Sequence, residues 1–136
     1  MLKDKLANYT LILASGSPRR QQFFKDLDLN FEIRLKEIEE VYPPELQAEA
    51  ITNYLAELKA SAFEGELKEN EILITSDTIV WYNNKALGKP KNEEDAFAIL
   101  QSLSNATHEV ITSVCFKTKA KTDTIFEVTK VTFNAL

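Results

Sequence analysis

The stretch at residues 11–20, Leu-Ile-Leu-Ala-Ser-Gly-Ser-Pro-Arg-Arg, constrains the fold more than any other part of the sequence. Its short apolar run, residues 11–14, predicts a buried strand whose end is marked by Gly16. Ser17 is a good helix N-cap, and Pro18 suits the first helical position, where its missing N–H costs nothing. The sequence therefore predicts a buried strand, a small-residue turn and a helix in direct succession.

The start of this helix has the chemistry of an anion site. Free backbone N–H groups, the positive end of the helix dipole, the hydroxyls of Ser15 and Ser17, and the side chains of Arg19 and Arg20 gather there. Two of the three arginines in the sequence stand at a helix start, where cations are electrostatically disfavoured, so an anion is expected nearby. A turn of this kind also occurs without a ligand. In that case Arg20, near the apolar face, only holds the turn, and Arg19 is the freer of the two.

Composition limits the class of protein. The 136 residues, 44% hydrophobic and 27% charged, fit one globular domain spanning residues 1–136. A net charge of −5 argues against a general nucleic-acid binder, which needs a broad basic surface. The sequence has neither a membrane-spanning apolar run nor a recognisable signal peptide, so we expect a cytoplasmic protein without membrane contact. Cys115 stands alone in the sequence and is interpreted as a small core residue.

Two further candidates come from the middle of the chain. Residues 45–63 have helical periodicity, and Lys59 lies on the border of the apolar stripe, where its ammonium can reach either an adjoining cleft or water. Residues 72–75 predict a buried strand that ends at Ser76-Asp77-Thr78. In open α/β sheets, ligands bind just beyond the carboxyl ends of the strands, so Asp77 is either a turn cap or a functional carboxylate.

The remaining pattern completes an α/β prediction. Asn83 and Asn84 tolerate the positive φ values of a tight hairpin between two short strands. Asn92 is a good N-cap for a helix, and its apolar residues, expected to be buried, are Ala96, Ile99, Leu100 and Leu103. Residues 107–116 and 124–133 predict a long antiparallel pair. The fold class is therefore α/β, a twisted mixed sheet flanked by helices.

Six stretches of the sequence together resemble the Maf family of nucleoside triphosphate pyrophosphatases. They occur in the order of the family and cover the chain nearly end to end. They are Leu13-Ala-Ser-Gly-Ser-Pro-Arg-Arg20, Ile38-Glu-Glu40, Leu55-Ala-Glu-Leu-Lys-Ala60, Ser76-Asp-Thr-Ile-Val80, Leu87-Gly-Lys-Pro90 and Leu103-Ser-Asn-Ala-Thr-His-Glu-Val-Ile-Thr112.

The resemblance implies two lobes around a cleft, as in Maf and ITPase-like proteins, and hydrolysis of a nucleoside triphosphate to the monophosphate and pyrophosphate with a divalent metal, usually Mg²⁺. Asp77 corresponds to the proton acceptor for the attacking water, and Glu40 to an acid that helps to hold metal or water. These two carboxylates are thus the implied metal ligands. The implied phosphate contacts come from the cations Arg19, Lys59 and Lys89 and from the turn that contains Ser15, Ser17 and Arg20.

Within the family, the Asp-Thr-Ile-Val stretch is similar to the branch that acts on dTTP and UTP. Thr78 is the position that we link to pyrimidine choice, and modified pyrimidine nucleotides would also fit. Family members continue past the position of Leu136 with an Ala-Gly-x-Tyr-x-Ile-Gln-Gly-like stretch, so we expect this chain to be C-terminally truncated relative to them. That expectation keeps an alternative open: a catalytically impaired nucleotide-binding regulatory module linked to cell division and septum formation.

Overall fold

A computed structural model describes residues 8–15, 17–87, 92–104 and 106–132. Within these residues six strands form one mixed sheet of order β2-β1-β3-β5-β6, with β4 paired to β3 outside this path. The strands are β1 (Thr10–Leu13), β2 (Phe31–Ile33), β3 (Glu71–Tyr82), β4 (Lys85–Leu87), β5 (Thr107–Lys117) and β6 (Thr122–Thr132); the helices are α1 (Pro18–Asp26), α2 (Glu49–Ser61) and α3 (Glu93–Leu103). The mixed α/β sheet is confirmed, whereas the two lobes stay a prediction.

The first strand, turn and helix follow the sequence prediction closely. Ser17 is the N-cap of α1, and its hydroxyl accepts a hydrogen bond from Arg20 N at 3.4 Å. The helix ends at Asp26, and Asp28 beyond it has a φ of 55°, which a helix cannot accommodate. The strand-turn-helix unit thus places the N-terminus of α1 beside the carboxyl end of β1.

Helix α2 covers one face of the sheet and forms the core with it. Its small residues Ala56 and Ala60 pack with Ile12 of β1 and Leu73 of β3, all of them at most 1% exposed. Cys115 is fully buried in the same cluster, which confirms it as a core residue. The helix begins later than the periodicity indicated, because Ala48 has a φ of 52°.

Strand β3 is longer than predicted, and this changes the position of Asp77. The predicted strand ended at Thr75, but β3 runs unbroken through Asp77 to Tyr82. Its pairing with β5 is continuous from Leu73 to Trp81, whereas on the opposite edge β1 pairs only up to Ile74 and β4 only from Val80. Residues 75–79 therefore form an opening in that edge, here called the β3 gap. Asp77 lies in the middle of a strand, but just beyond the carboxyl end of its parallel neighbour β1.

The predicted turn at Asn83-Asn84 and the predicted cap of α3 are confirmed, but the predicted burial of α3 is not. Asn83 and Asn84 have φ values of 53° and 64° and join β3 to β4. Asn92 caps α3 by accepting a hydrogen bond from Asp95 N at 2.8 Å. The predicted buried stripe of α3 is wrong: Leu103 is buried, but Leu100 is 47% exposed. A period of 3.6 identifies an apolar face, but only packing decides whether that face is covered.

The second face of the sheet is only partly covered. Helix α1 lies over it, and Phe24 meets Phe31 edge-on at 5.4 Å between ring centroids. A largely apolar cavity of about 750 Å³ remains between α1 and the outward residues of β1, β3 and β5. In the part of the chain that the structure describes, no helix is both long and apolar enough to cross a membrane.

Candidate active site

Three charged side chains from distant parts of the chain meet at the β3 gap. The ammonium of Lys59, on α2, lies 3.0 Å from Asp77 Oδ1 and 2.8 Å from Glu40 Oε1. It also donates a hydrogen bond at 3.0 Å to the carbonyl of Ser76, which lies in the stretch where β3 pairs with neither β1 nor β4. The Lys59 ammonium thus lies in the cleft and not in water, the two alternatives that the sequence left open. It links the predicted carboxylates of Asp77 and Glu40.

Asp77 is the least solvated of these groups. It is 9% exposed, and its second oxygen, Oδ2, is buried with no hydrogen-bond partner among the described residues. Burial raises the pKa of the Asp77 carboxyl above its usual range, and Glu40 raises it further, while Lys59 and Arg20 act in the opposite direction. Asp77 therefore holds a proton more tightly than an ordinary aspartate, and no donor from the described part of the chain reaches its Oδ2.

Arg20 occupies the other side of the gap. Its guanidinium donates to Ser15 Oγ at 3.4 Å and to Thr78 Oγ1 at 3.3 Å, and the Thr78 hydroxyl lies 2.9 Å from Thr112 Oγ1. Burial lowers the pKa of Arg20, and Asp77 partly offsets this. An arginine stays protonated at any ordinary pH. The structure therefore brings Arg20 into the site, so it is not merely a support for the turn.

Arg19 points elsewhere. It is exposed and lines the apolar cavity on the second face of the sheet, beside Phe23. The ion pairs of Lys59 and the hydrogen bonds of Arg20 at the gap do not involve it. The sequence predicts Arg19 to be the freer of the two arginines, and the family resemblance assigns it a phosphate contact. The two side chains differ in direction by about 100° around the helix, and in this structure it is Arg20 that lies at the β3 gap.

These groups border a cavity of about 660 Å³. The turn residues Ser15 and Ser17 line it, and Ser17 N donates to Ser15 Oγ at 3.2 Å. Arg20, Glu40 and Lys59 line the same cavity, and Asp77 meets it through its contact with Lys59. The structure thus gathers Ser15, Ser17, Arg20, Glu40, Lys59 and Asp77 at one place. Thr78 lies on the opposite face of β3 and meets this group only through Arg20, and Lys89 lies outside the described residues.

Lys36 is a lining residue that the sequence analysis missed. Its ammonium donates to the carbonyl of Ala62 at 2.9 Å, pairs with Glu66 and lies 4.9 Å from the centre of the Phe63 ring. A cation at the C-terminal end of a helix is stabilised by the helix dipole and by the last carbonyls. Lys36 thereby ties the loop that carries Glu40 to the end of α2. The sequence signal that could have identified Lys36 is its position as a lysine within an otherwise acidic loop.

The two carboxylates are suited to a hydrated divalent cation rather than to a closed metal cage. Among the described residues no group of three or more His, Cys, Asp or Glu side chains could hold a metal. Glu40 is half exposed, and Asp77 keeps the unpartnered oxygen Oδ2. Mg²⁺ typically binds through one or two carboxylates, retained waters and substrate phosphates, so the donor set fits such an ion.

Comparison with known proteins decides the family. A family model described as Maf-like protein matches residues 10–136. The chain belongs to the Maf family. Maf relatives include the dTTP/UTP pyrophosphatase of Flavobacterium johnsoniae, 74% identical over all of this chain and 70% of the relative, and that of Flavobacterium psychrophilum, 67% identical over the same shares. The chain thus spans about 70% of the length of these curated relatives.

A solved structure supports the Maf fold independently of close sequence similarity. The Ham1 protein of Staphylococcus aureus superimposes with a TM-score of 0.59 at 14% identity, over 89% of this chain and 70% of that chain. At this identity the likeness concerns the fold alone. The overall fold is therefore shared with a protein of very different sequence.

Proposed function

We propose that this Maf-family chain is a nucleoside triphosphate pyrophosphatase that hydrolyses dTTP and UTP to the monophosphate and pyrophosphate. The observation that carries the proposal is the buried Asp77 carboxylate, held by Lys59 at the edge of a cavity that Arg20 also lines. The names of the two Flavobacterium relatives support the substrate class.

The phosphate chain would lie between the N-terminus of α1 and Lys59. Ser15 and Ser17 present hydroxyls there, the first turn of α1 presents backbone N–H groups, and Arg20 presents a guanidinium. In phosphoryl transfer the protein mainly positions the chain and stabilises spreading negative charge. Several cations around one scissile bond are what this requires. Arg19 and Lys89 remain proposed phosphate contacts on the family resemblance alone.

Asp77 is the proposed proton acceptor for the attacking water. A general base works best when its pKa approaches the operating pH, and burial shifts the Asp77 carboxyl in that direction. The oxygen Oδ2 has no donor among the described residues, so it is the oxygen that we propose accepts the proton once the attacking water reaches its buried position. Lys59 keeps the carboxylate oriented through Oδ1.

Asp77 and Glu40 would hold the divalent cation, proposed to be Mg²⁺. When bound, such an ion supplies electrostatic stabilisation of the phosphate oxygens. The chain's own contribution is to keep the two carboxylates within one cleft through their shared contact with Lys59.

Thr78 is the proposed determinant of pyrimidine choice. Its hydroxyl is fixed between Arg20 and Thr112, on the face of β3 opposite to Asp77. Modified pyrimidine triphosphates belong to the same proposed substrate class. We further propose a cytoplasmic location and, through an exposed edge strand, a homodimer; Ile125 and Phe126 on the edge strand β6 are 60% and 51% exposed.

Product analysis tests the proposed function. The chain is incubated with dTTP, UTP, dATP or GTP in the presence of Mg²⁺, and the products are separated by ion-exchange chromatography. The proposal predicts monophosphate and pyrophosphate from dTTP and UTP at higher rates than from the purines. Diphosphate and orthophosphate as products would contradict it. Binding of a nonhydrolysable dTTP analogue without turnover would instead favour the regulatory module.

A further inference from the structure

A buried hydroxyl links the helix that carries Lys59 to the strand that carries Asp77. Thr75 Oγ1 donates a hydrogen bond to the carbonyl of Ala56 at 2.7 Å. Thr75 is 1% exposed and Ala56 is fully buried, so water does not compete for this contact. A hydroxyl that reaches the main chain of a packed helix fixes the distance between helix and strand.

This hydrogen bond lies next to the ion pair of the proposed site. Thr75 and Asp77 are two residues apart on β3 and project from the same face of the strand. Ala56 and Lys59 are three residues apart on α2, a spacing that brings side chains to the same helix face. The pair Thr75–Ala56 and the pair Asp77–Lys59 therefore form two consecutive links between the same two elements.

The small side chains of α2 make this close approach feasible. Ala56 and Ala60 are at most 1% exposed and face the sheet. Larger side chains at these positions would hold the helix away from β3. Hydrophobic contact is non-directional, whereas a hydrogen bond to one carbonyl requires a defined distance and angle and so selects one position of the helix along the strand.

A second contact of the same kind anchors the preceding turn of α2. Ser113, the register partner of Asp77 on β5, is fully buried, and its hydroxyl lies 2.6 Å from Thr52 Oγ1 and 2.5 Å from Asn53 Oδ1. Helix α2 is thus hydrogen-bonded both to β3, which carries Asp77, and to the neighbouring strand β5.

We propose that Thr75 is a positioning residue, which acts through α2 to place the Lys59 ammonium against Asp77. The inference rests on the proposed function only for its kinetic consequence. The hydroxyl itself touches neither Lys59 nor Asp77. It determines where the backbone of α2 lies along β3. From that backbone position the Lys59 side chain is long enough for its ammonium to reach Asp77.

Three variants test this proposal. Thr75→Val keeps the volume and removes the donor, and the Ala56 carbonyl keeps its acceptor role within the helix. Thr75→Ser restores the donor. Ile111→Val, which removes one methylene from a fully buried β5 position, controls for a general loss of stability. Each is measured in the full chain for kcat and KM with dTTP and Mg²⁺.

We expect Thr75→Val to lower kcat about 10-fold with less than about a 2-fold change in KM, because misplacing one catalytic group costs rate more than binding. Thr75→Ser and Ile111→Val should stay within about 2-fold of the parent chain on both constants. Equal kcat values in Thr75→Val and the parent, or an equal loss in Ile111→Val, would overturn the proposal.

A second readout does not require turnover. The rate at which an N-hydroxysuccinimide ester acylates Lys59 is followed by mass spectrometry of the corresponding peptide. The contacts of Lys59 with Asp77, Glu40 and the Ser76 carbonyl should slow this reaction. We expect labelling to become several-fold faster in Thr75→Val and to be unchanged in Thr75→Ser.

The two readouts separate the possible failures. Absence of pyrophosphate release by the parent chain removes the proposed function, and labelling alone then decides the positioning role. Unchanged Lys59 labelling in a folded Thr75→Val overturns that role whatever the activity is. Should Thr75→Val not fold, Thr75→Cys replaces it, because a thiol is only a weak hydrogen-bond donor.

Discussion

The Lys59 ammonium lies 3.0 Å from Asp77 Oδ1 and leaves the second oxygen of that carboxylate buried, with no donor from the described residues. One oxygen is therefore committed to a cation, and the other is a buried acceptor that water or substrate would have to reach. Glu40, 2.8 Å from the same ammonium, adds a second carboxylate at the rim. This asymmetry of the Asp77 carboxylate underlies the predictions below.

Replacing Lys59 by methionine should lower kcat/KM by about 10²–10³. The attraction of Lys59 lowers the pKa of Asp77, and the charges of Glu40 and Arg20 also act on that carboxyl. Loss of Lys59 should therefore raise the pKa of Asp77 further and move the acid limb of the pH–rate profile to higher pH.

The matched control for Lys59→Met is Lys117→Met. Lys117 lies on β5, pairs with Glu64 at 2.5 Å and does not line the cavity. Its loss should leave the pH–rate profile in place. An acid limb that moves to lower pH in Lys59→Met would refute the assigned role of the lysine.

Asp77→Asn should stabilise the folded chain at pH 8. The pKa of Asp77 is raised on folding, so the folded chain binds more protons than the unfolded chain and stability falls as pH rises through that interval. Asparagine avoids burying the charge, so the midpoint of thermal unfolding should rise at pH 8. This increase in the unfolding midpoint should disappear as the pH is lowered towards the ordinary pKa range of an aspartate, where the carboxyl is protonated. A lower unfolding midpoint for Asp77→Asn at every pH would contradict the claim that burying the charged Asp77 carboxylate destabilises the folded chain.

The two adjacent arginines should contribute unequally. Arg20 contacts Ser15 and Thr78 at the β3 gap, whereas Arg19 is exposed beside the apolar cavity. We expect Arg20→Ala to lower kcat/KM by about 10²-fold or more and Arg19→Ala to have a smaller effect. Steady-state kinetics with dTTP distinguishes them. A greater loss in Arg19→Ala would show that substrate is held from the other side of α1.

Comparing the N-caps of α1 and α3 distinguishes an effect on stability from an effect on substrate binding. Ser17→Ala and Asn92→Ala each remove a side-chain cap, and each should cost about 1 kcal/mol of unfolding free energy in urea titration. Only Ser17 lines the cavity with Arg20, so only Ser17→Ala should also raise KM for dTTP. An equal KM increase in Asn92→Ala would attribute the effect to stability alone.

Local sequence signals predicted the helices, strands and turns, whereas the arrangement of the candidate site depends on contacts between residues far apart in the chain. The Ser17 cap, the Asn83-Asn84 turn and the Asn92 cap depend on neighbouring residues, so they could be predicted from the sequence. The position of Asp77 within β3 could not, because it depends on β1 ending at Leu13 while β5 continues to pair.

The contacts that the sequence did not reveal join residues far apart in the chain. Lys36 meets the end of α2, and Thr75 meets Ala56 across 19 residues. A lysine in a loop and a threonine in a strand carry no local mark of such roles. Lys59 and Asp77 were predicted as separate candidates, and their contact became evident only from the packing of α2 on β3.

The rate of pyrophosphate release from dTTP by the parent chain and by Asp77→Asn tests the central claim most directly. The measurement uses saturating Mg²⁺ and is paired with calorimetric binding of a nonhydrolysable dTTP analogue. We predict that the rate falls by about 10²–10⁴, far more than any weakening in the Kd of the analogue, because Asp77 is the proposed proton acceptor as well as a proposed metal ligand. Equal rates in the two proteins would contradict the assignment of Asp77 as the catalytic base.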